Sequence, residues 1–498
     1  MAIDLRSLAA FRIAIGGLLL ADLAIRAGDL GAMYTDEGMF SRVEICRRVS
    51  TIWNWSFHFG GGTWNYQALL FGLAAVLALA LLAGLETRLA TIGSWLMLVS
   101  LHHRVPPILS GADLLLRMLL FWGMFLPLGG RWSLDRWRRK RGGDNSTDTS
   151  QGPVLSVASA AILLQMALMY LFSAIFKSNS VWFRGETIAG AMAHDFYASP
   201  VGAYLLQFPR LLMGLTWATL LLEWIAPVLM FVPKWTGPLR IGCVAALAAL
   251  HVGIAICLEV DLFSPVSMAG LLLFLPTTFW RRPLSPAGRE AEPEEPAMPD
   301  RPLVFGSRRP WLSGAAQGLC LLALVYVLAI NLNGLPRQPF APLAPEEWKP
   351  LITGCALGQK WNMFEDVPSR SGWYVARARL RDGSEVDLLR QGAVIDWSKP
   401  SFPAGLYPNH RWRKLFREMA YDDEKGYQVF RAPVAEFLCR NWNARHPAAQ
   451  AVVECDLVYC MQSDVKQPGA RNMQMTVRER LVHLENDLTR ERWLITER

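Results

Sequence analysis

Cysteine is scarce in this chain, with 8 among 498 residues and no two in a C-x-x-C spacing. That excludes a fold stapled by many disulfides and leaves no thiolate set for structural zinc, so no metal is expected. No internal repeat recurs at a useful period, and the apolar segments lack the matched Gly- or Pro-broken pairs of an inverted-repeat transporter. No basic run stands free as a nucleic-acid surface either. The net charge is +8, but Lys and Arg cluster between apolar segments, as membrane topology requires, and no nucleic-acid partner is expected. The first apolar segment has no obvious small-residue cleavage site and carries Arg12, Asp22 and Arg26, so it reads as a retained anchor rather than a signal peptide.

What is abundant is apolar length. Hydrophobic residues make up 52% of the chain, and runs such as Ala68 to Leu85 hold no charge at all. Such a run is about long enough to cross a ~30 Å hydrocarbon layer. Candidate spans fall at roughly 7–28, 66–85, 87–107, 112–129, 154–176, 208–233, 238–258, 264–280 and 310–332. The expectation is an all-α polytopic membrane bundle of about nine transmembrane helices over residues 1–332, with the lipid bilayer as its first partner. A C-terminal external α+β domain is expected over 333–498, where charge, Pro and aromatics replace long apolar runs.

Basic residues in the connections set the expected orientation. With nine spans, sixteen of them fall on one side, including Arg131, Arg136, Arg138 to Arg141 and the group from Arg281 to Arg309; seven fall on the other. The positive-inside rule then places the N-terminus in the cytoplasm and the tail outside, in the plasma (inner) membrane if the source is bacterial. The stretches Gly142 to Pro153 and Ser285 to Arg301 read as solvated cytoplasmic linkers. An external tail would put Cys355, Cys439, Cys455 and Cys460 where disulfides are permitted, with the pairing not legible.

Within the tail, Trp373 to Leu380 and Glu385 to Leu389 flank Asp382-Gly383, a hairpin signal, and Ala451 to Met461 reads as another strand. Trp412 to Met419 reads as a short basic amphipathic helix with a solvated face beside the membrane. Trp361, Met363 and Phe364 read as packing against the membrane surface, with a substrate edge as the alternative.

Ionisable groups inside the spans cost about 2.5–3.5 kcal/mol each at mid-depth, which makes every one a functional candidate. Asp22 and Arg26, four apart on one helix, can pair along a face, and Asp113 and Arg117 have the same spacing. His102, His103 and Arg104 end the third span, where polar groups are cheap. Glu223 and His251 sit near the middles of consecutive spans and could face each other as a proton-handling pair or a structural hydrogen bond. Lys177 closes the fifth span just before SNSVWFRGETIAGAMAHDFY, a stretch too polar to cross. A lysine in an apolar pocket becomes available as a neutral base near pH 7; the alternative is a snorkelling helix-end lysine.

Four stretches carry a family resemblance: LAAFRIAIGGLLLADLAIRAGDLGAMYTDEG from Leu8, SLHHRVPPILSGADLLLRMLLFWGMFLPLGGRWSLD from Ser100, YLFSAIFKSNSVWFRG from Tyr170, and QKWNMFEDVP from Gln359. The sequence resembles the HTTM (horizontally transferred transmembrane domain) family, related to vitamin K-dependent gamma-carboxylase. In that carboxylase a lysine deprotonates vitamin K hydroquinone and is followed by Trp and Gly at the spacing of Lys177, Trp182 and Gly185. The resemblance implies Lys177 as catalytic base, with Glu223 and His251 next and Asp113 and His103 behind them. It also implies a reduced quinone (vitamin K or menaquinone hydroquinone), with O2 and CO2 as co-substrates of a carboxylase-like reaction. The pattern departs where eukaryotic carboxylase carries a catalytic-site histidine, because Ser110 to Asp113 stand there. The alternative function is a non-enzymatic membrane module that binds a lipid, a small solute or a protein partner, with Lys177 neutralising an anionic headgroup or pairing with Glu186.

Overall fold

The long apolar runs form helices because a helix is the one open structure that satisfies its own backbone in hydrocarbon. The computed structural model describes residues 1–48, 51–142, 152–280, 310–336, 343, 345–365, 371–420, 426–465, 473–487 and 492–497. Its bundle helices are α1 (Leu5–Ala27), α2 (Trp64–Ala83), α3 (Thr87–Arg104), α4 (Gly111–Gly123), α5 (Val157–Lys177), α6 (Pro209–Leu229), α7 (Thr236–Cys257), α8 (Phe263–Leu271) and α9 (Pro310–Asn333). The stretch after Lys177 breaks into short helices, Ser180–Phe183 and Thr187–Ala193.

Among the described residues, six helices are long and apolar enough to cross a membrane: α1, α2, α5, α6, α7 and α9. The chain is a multi-pass integral membrane protein, and six of the nine expected spans meet that measure of length and hydropathy. The candidates at 87–107, 112–129 and 264–280 are α3, α4 and α8. Helix α4 has 13 residues and α8 has 9; at ~1.5 Å per residue both fall well short of ~30 Å. Helix α3 has 18 residues but carries Arg88, His102, His103 and Arg104. Helix α4 is buried almost throughout, so its apolar run serves packing inside the bundle. The expected linkers at 142–153 and 285–301, and the basic group from Arg281 to Arg309, fall largely or wholly outside the described residues.

Helix pairs approach closely where the sequence permits it. A Cβ added at Gly16 of α1 would lie 2.8 Å from the Leu82 backbone of α2. Near its start α1 is tied by Ser7 Oγ, which donates to the Leu275 carbonyl at 2.8 Å. Toward its other end Asp22 accepts from Arg411 of the tail, so the first turn of α1 and the tail lie at opposite ends of the bundle.

The tail holds a five-stranded antiparallel sheet, ordered β2-β1-β3-β4-β5, from β1 (Gly372–Leu380), β2 (Glu385–Asp387), β3 (Val452–Val465), β4 (Met473–Asp487) and β5 (Arg492–Glu497). The hairpin at Asp382-Gly383 forms as its sequence demands, with Gly383 at φ +86°. Helices α10 (His410–Ala420) and α11 (Arg431–Asn443) share a core with the sheet that includes Tyr374, Phe416, Val434, Leu457 and Leu484. Trp361 is fully buried in the bundle core rather than laid on a membrane surface. Met363 packs over Gly111, and Phe364 stacks edge-on to Tyr197.

Candidate functional site

Lys177 is the last residue of α5, and its ammonium has both Glu223 carboxylate oxygens in reach, at 2.6 and 2.8 Å. Both side chains are about 95% buried, with 7% and 6% exposure. The chain turns sharply after Lys177 to bring Trp182 over it. Asn179 caps the short helix by accepting from the Val181 and Trp182 N–H groups, and the Lys177 ammonium lies 5.1 Å from the Trp182 ring. Trp182 Nε1 in turn donates to the Phe364 carbonyl at 2.8 Å, fixing the ring against the tail. Gly185 ends the turn at φ +77°, and a Cβ there would lie 2.4 Å from Met213 Cγ of α6. The spacing of Lys177, Trp182 and Gly185 therefore has a mechanical reason: buried ammonium, covering ring and the close approach to the helix that carries Glu223.

A second pair adjoins the first. Seven residues before Lys177 on α5, Tyr170 OH lies 2.7 Å from His251 Nε2 of α7. Both are 2% exposed. The His251 ring meets Phe263 edge-on at 5.7 Å, and its Nδ1 is buried with no hydrogen-bond partner. Glu223 thus does not face His251 across the α6–α7 hairpin: Lys177 takes the carboxylate and Tyr170 takes the imidazole. Glu186, the alternative partner for Lys177, instead receives Arg184 at 3.0 Å on the surface.

Asp113 belongs to a different constellation. One of its oxygens accepts from Ser110 N at 2.7 Å, and Arg411 of the tail reaches both oxygens, at 3.0 and 3.1 Å. Arg26 also donates to Asp113, to Asp22 at 2.8 Å and to Tyr34 OH at 2.8 Å. Arg411 closes the set on Asp22. Two carboxylates and two guanidiniums, each 3% exposed or less, make a neutral buried network. Burial works against the charge of Arg411, but the Asp113 and Asp22 carboxylates outweigh it and hold that guanidinium ionised well above its ordinary range. His102 Nε2 lies 3.3 Å from the same Asp113.

The residues beside Arg411 extend this grip. His410 Nε2 lies 2.9 Å from Asp261 Oδ1, Trp412 Nε1 donates to Asp29 at 2.8 Å, and Arg413 donates to the Glu259 carbonyl at 2.9 Å. Helix α10 is therefore no solvated basic face; its first turn is the plug that seats the tail on the bundle. Arg117 does not pair with Asp113 and donates to the Gly358 carbonyl at 3.1 Å. His103 Nδ1 lies 2.9 Å from the Trp55 carbonyl and its ring meets Trp55 edge-on.

Of the expected site residues, Lys177, Glu223 and His251 come together around α5, while Asp113 and His103 do not join them. Tyr170 was missed, although its position on the Lys177 face of α5, two turns back, was a usable signal. Arg411 was missed because its partners lie hundreds of residues away, and a basic run by itself reads as solvated.

A family model, the HTTM domain, matches residues 1–280, which hold the bundle through α8 and both pairs around Lys177. No curated protein and no solved structure matches the chain. The chain belongs to the HTTM family, whose domain is shared with vitamin K-dependent gamma-carboxylase.

Proposed function

We propose that the protein is a membrane enzyme that removes a proton from a lipid-soluble substrate, a reduced quinone of the vitamin K or menaquinone class, with Lys177 as the base. The single observation that carries this reading is the buried Lys177–Glu223 pair adjoining Tyr170–His251. A lone lysine in hydrocarbon faces a large desolvation penalty when charged. Paired with Glu223, it keeps the site neutral overall in either protonation form. A proton can pass from Nζ to the carboxylate without leaving an isolated charge, and the resulting amine can accept a hydroxyl proton from substrate. Trp182, Phe263 and Phe364 give the surroundings aromatic walls suited to a flat ring. The unpartnered His251 Nδ1 is a polar atom able to meet a substrate oxygen.

O2 would oxidise the bound hydroquinone, and CO2 would serve as co-substrate if the reaction continues to carboxylation. Asp113 takes no part in that chemistry, because the network of Arg26, Arg411 and Ser110 occupies its oxygens. The tail is assigned to the outside of the plasma membrane. That placement rests on the excess of basic residues in the connections at the end of the bundle remote from the tail.

The test is oxygen consumption by purified protein in detergent with reduced menaquinone or vitamin K, wild type beside Lys177→Ala. Uptake that disappears in the variant supports the reading; no uptake by wild type above a protein-free control refutes it. A binding module is the second reading, favoured by the way Glu223 occupies Lys177 with both oxygens, as a structural lock would. It predicts a co-purifying lipid or partner that Lys177→Arg retains.

A further inference from the structure

The faces of the tail sheet sort its cysteines. Along β3, Cys455, Leu457 and Tyr459 point into the core shared with α10 and α11, whereas Val458 and Cys460 pack on the other face with Trp373 and Val375. Cys355 packs at the edge of the bundle core. Cys439, in the penultimate turn of α11, lies in the same core as Cys455, and both are 0% exposed. Helix α11 packs directly on β3, which brings both cysteines to one helix–sheet interface. No other pair among the tail cysteines shares a side of the sheet.

We propose that Cys439 and Cys455 are joined by a disulfide in the mature protein, pinning α11 to the central strand of the tail sheet. The inference rests on the external placement of the tail in the proposed function, since cytosolic thiols are kept reduced. The oxidant is a disulfide donor of the thiol-oxidase or glutathione class. One cysteine thiolate attacks the donor disulfide and releases one donor thiol; the second thiolate attacks the mixed disulfide and releases the other. Two protein thiols thus become one disulfide while one donor disulfide becomes two thiols.

Timing follows from burial. Contact with Cys439 and removal from water both push the Cys455 thiol well above its ordinary range, so little thiolate forms once the core has closed. The bond must therefore form while the tail folds.

The experiment uses the full wild-type chain in its membrane. Free thiols are trapped with a maleimide under denaturing conditions, and the protein is mapped without reduction. The expected result is one linked peptide pair carrying Cys439 and Cys455, with Cys46, Cys243, Cys257, Cys320, Cys355 and Cys460 alkylated. Recovery of Cys439 and Cys455 as alkylated thiols overturns the proposal. Cys46 is exposed and lies at the tail end of the bundle, where Phe40 of the preceding loop meets Phe430 edge-on. It therefore reports the compartment. If it reacts with a membrane-impermeant maleimide in intact cells while the pair is unlinked, the disulfide fails and the orientation stands. If it reacts only after permeabilisation and the pair is unlinked, both fail together.

Discussion

Replacing Arg411 by Met should cost the tail its seat. The side chain is 1% exposed and contacts both Asp22 and Asp113, whose only other guanidinium in the network is Arg26. Removing one cation from a neutral set leaves one carboxylate charge without compensation, at positions only 3% exposed. Breaking a buried pair by deleting one partner costs about 3–5 kcal/mol. For a unit of the tail's size, each kcal/mol shifts a melting midpoint by about 2–4 °C, so a fall of about 10 °C is expected. The assay is thermal melting in detergent followed by tryptophan fluorescence, for which Trp412 on Asp29 is a local reporter, together with limited proteolysis of the tail. Asp113→Asn in the Arg411→Met background restores neutrality and should recover a large part of the loss. A single variant that melts with wild type, or a double variant no better than the single, would refute the account of the network.

Gly185→Ala places a Cβ against Met213 at φ +77° and should cost about 1–3 kcal/mol, lowering the melting midpoint and, with the lysine displaced, quinone-dependent oxygen uptake. Burial pulls His58 down to about 4, so the native state refuses a proton that the unfolded chain takes up at about 6.5. Stability should therefore be full above about pH 6.5 and fall by about 3 kcal/mol as pH drops toward 4; His58→Gln should flatten that slope in pH-dependent melts. Asp135 accepts from the N–H groups of Glu86 and Thr87 at the start of α3, at 2.8 and 2.9 Å; Asp135→Ala should cost about 1–2 kcal/mol in the same melt.

The bundle was legible because uncharged runs have few other uses, and the Asp22–Arg26 pair was legible because its partners are four residues apart on one helix. The hairpin at Asp382-Gly383 was legible for a similar reason, since its signal is local. The bounds of α3, α4 and α8 were less legible, because their apolar runs pack inside the bundle and the helices end before the windows assigned to them. Strands β4 and β5 went unread, because Arg478, Glu479 and Arg480 interrupt the apolar pattern of β4 and β5 is short with a charge at each end. Partners distant in sequence were the least legible: Glu223 reaches Lys177 on α5 rather than His251 on the next helix, and Arg411 reaches Asp22 across most of the chain. Helix packing decides those choices, and no spacing in the sequence encodes it. The motif of Lys177, Trp182 and Gly185 lies between these limits, local in spacing but with its purpose visible only once Met213 and Glu223 are seen beside it.

The most direct test of the central claim is oxygen uptake with reduced quinone by Lys177→Arg, measured beside its melting curve. Arginine keeps a cation on Glu223 but cannot give up its proton near neutral pH. A variant that melts close to wild type yet consumes no oxygen is the predicted result. One that retains wild-type uptake would show that Lys177 is not the base.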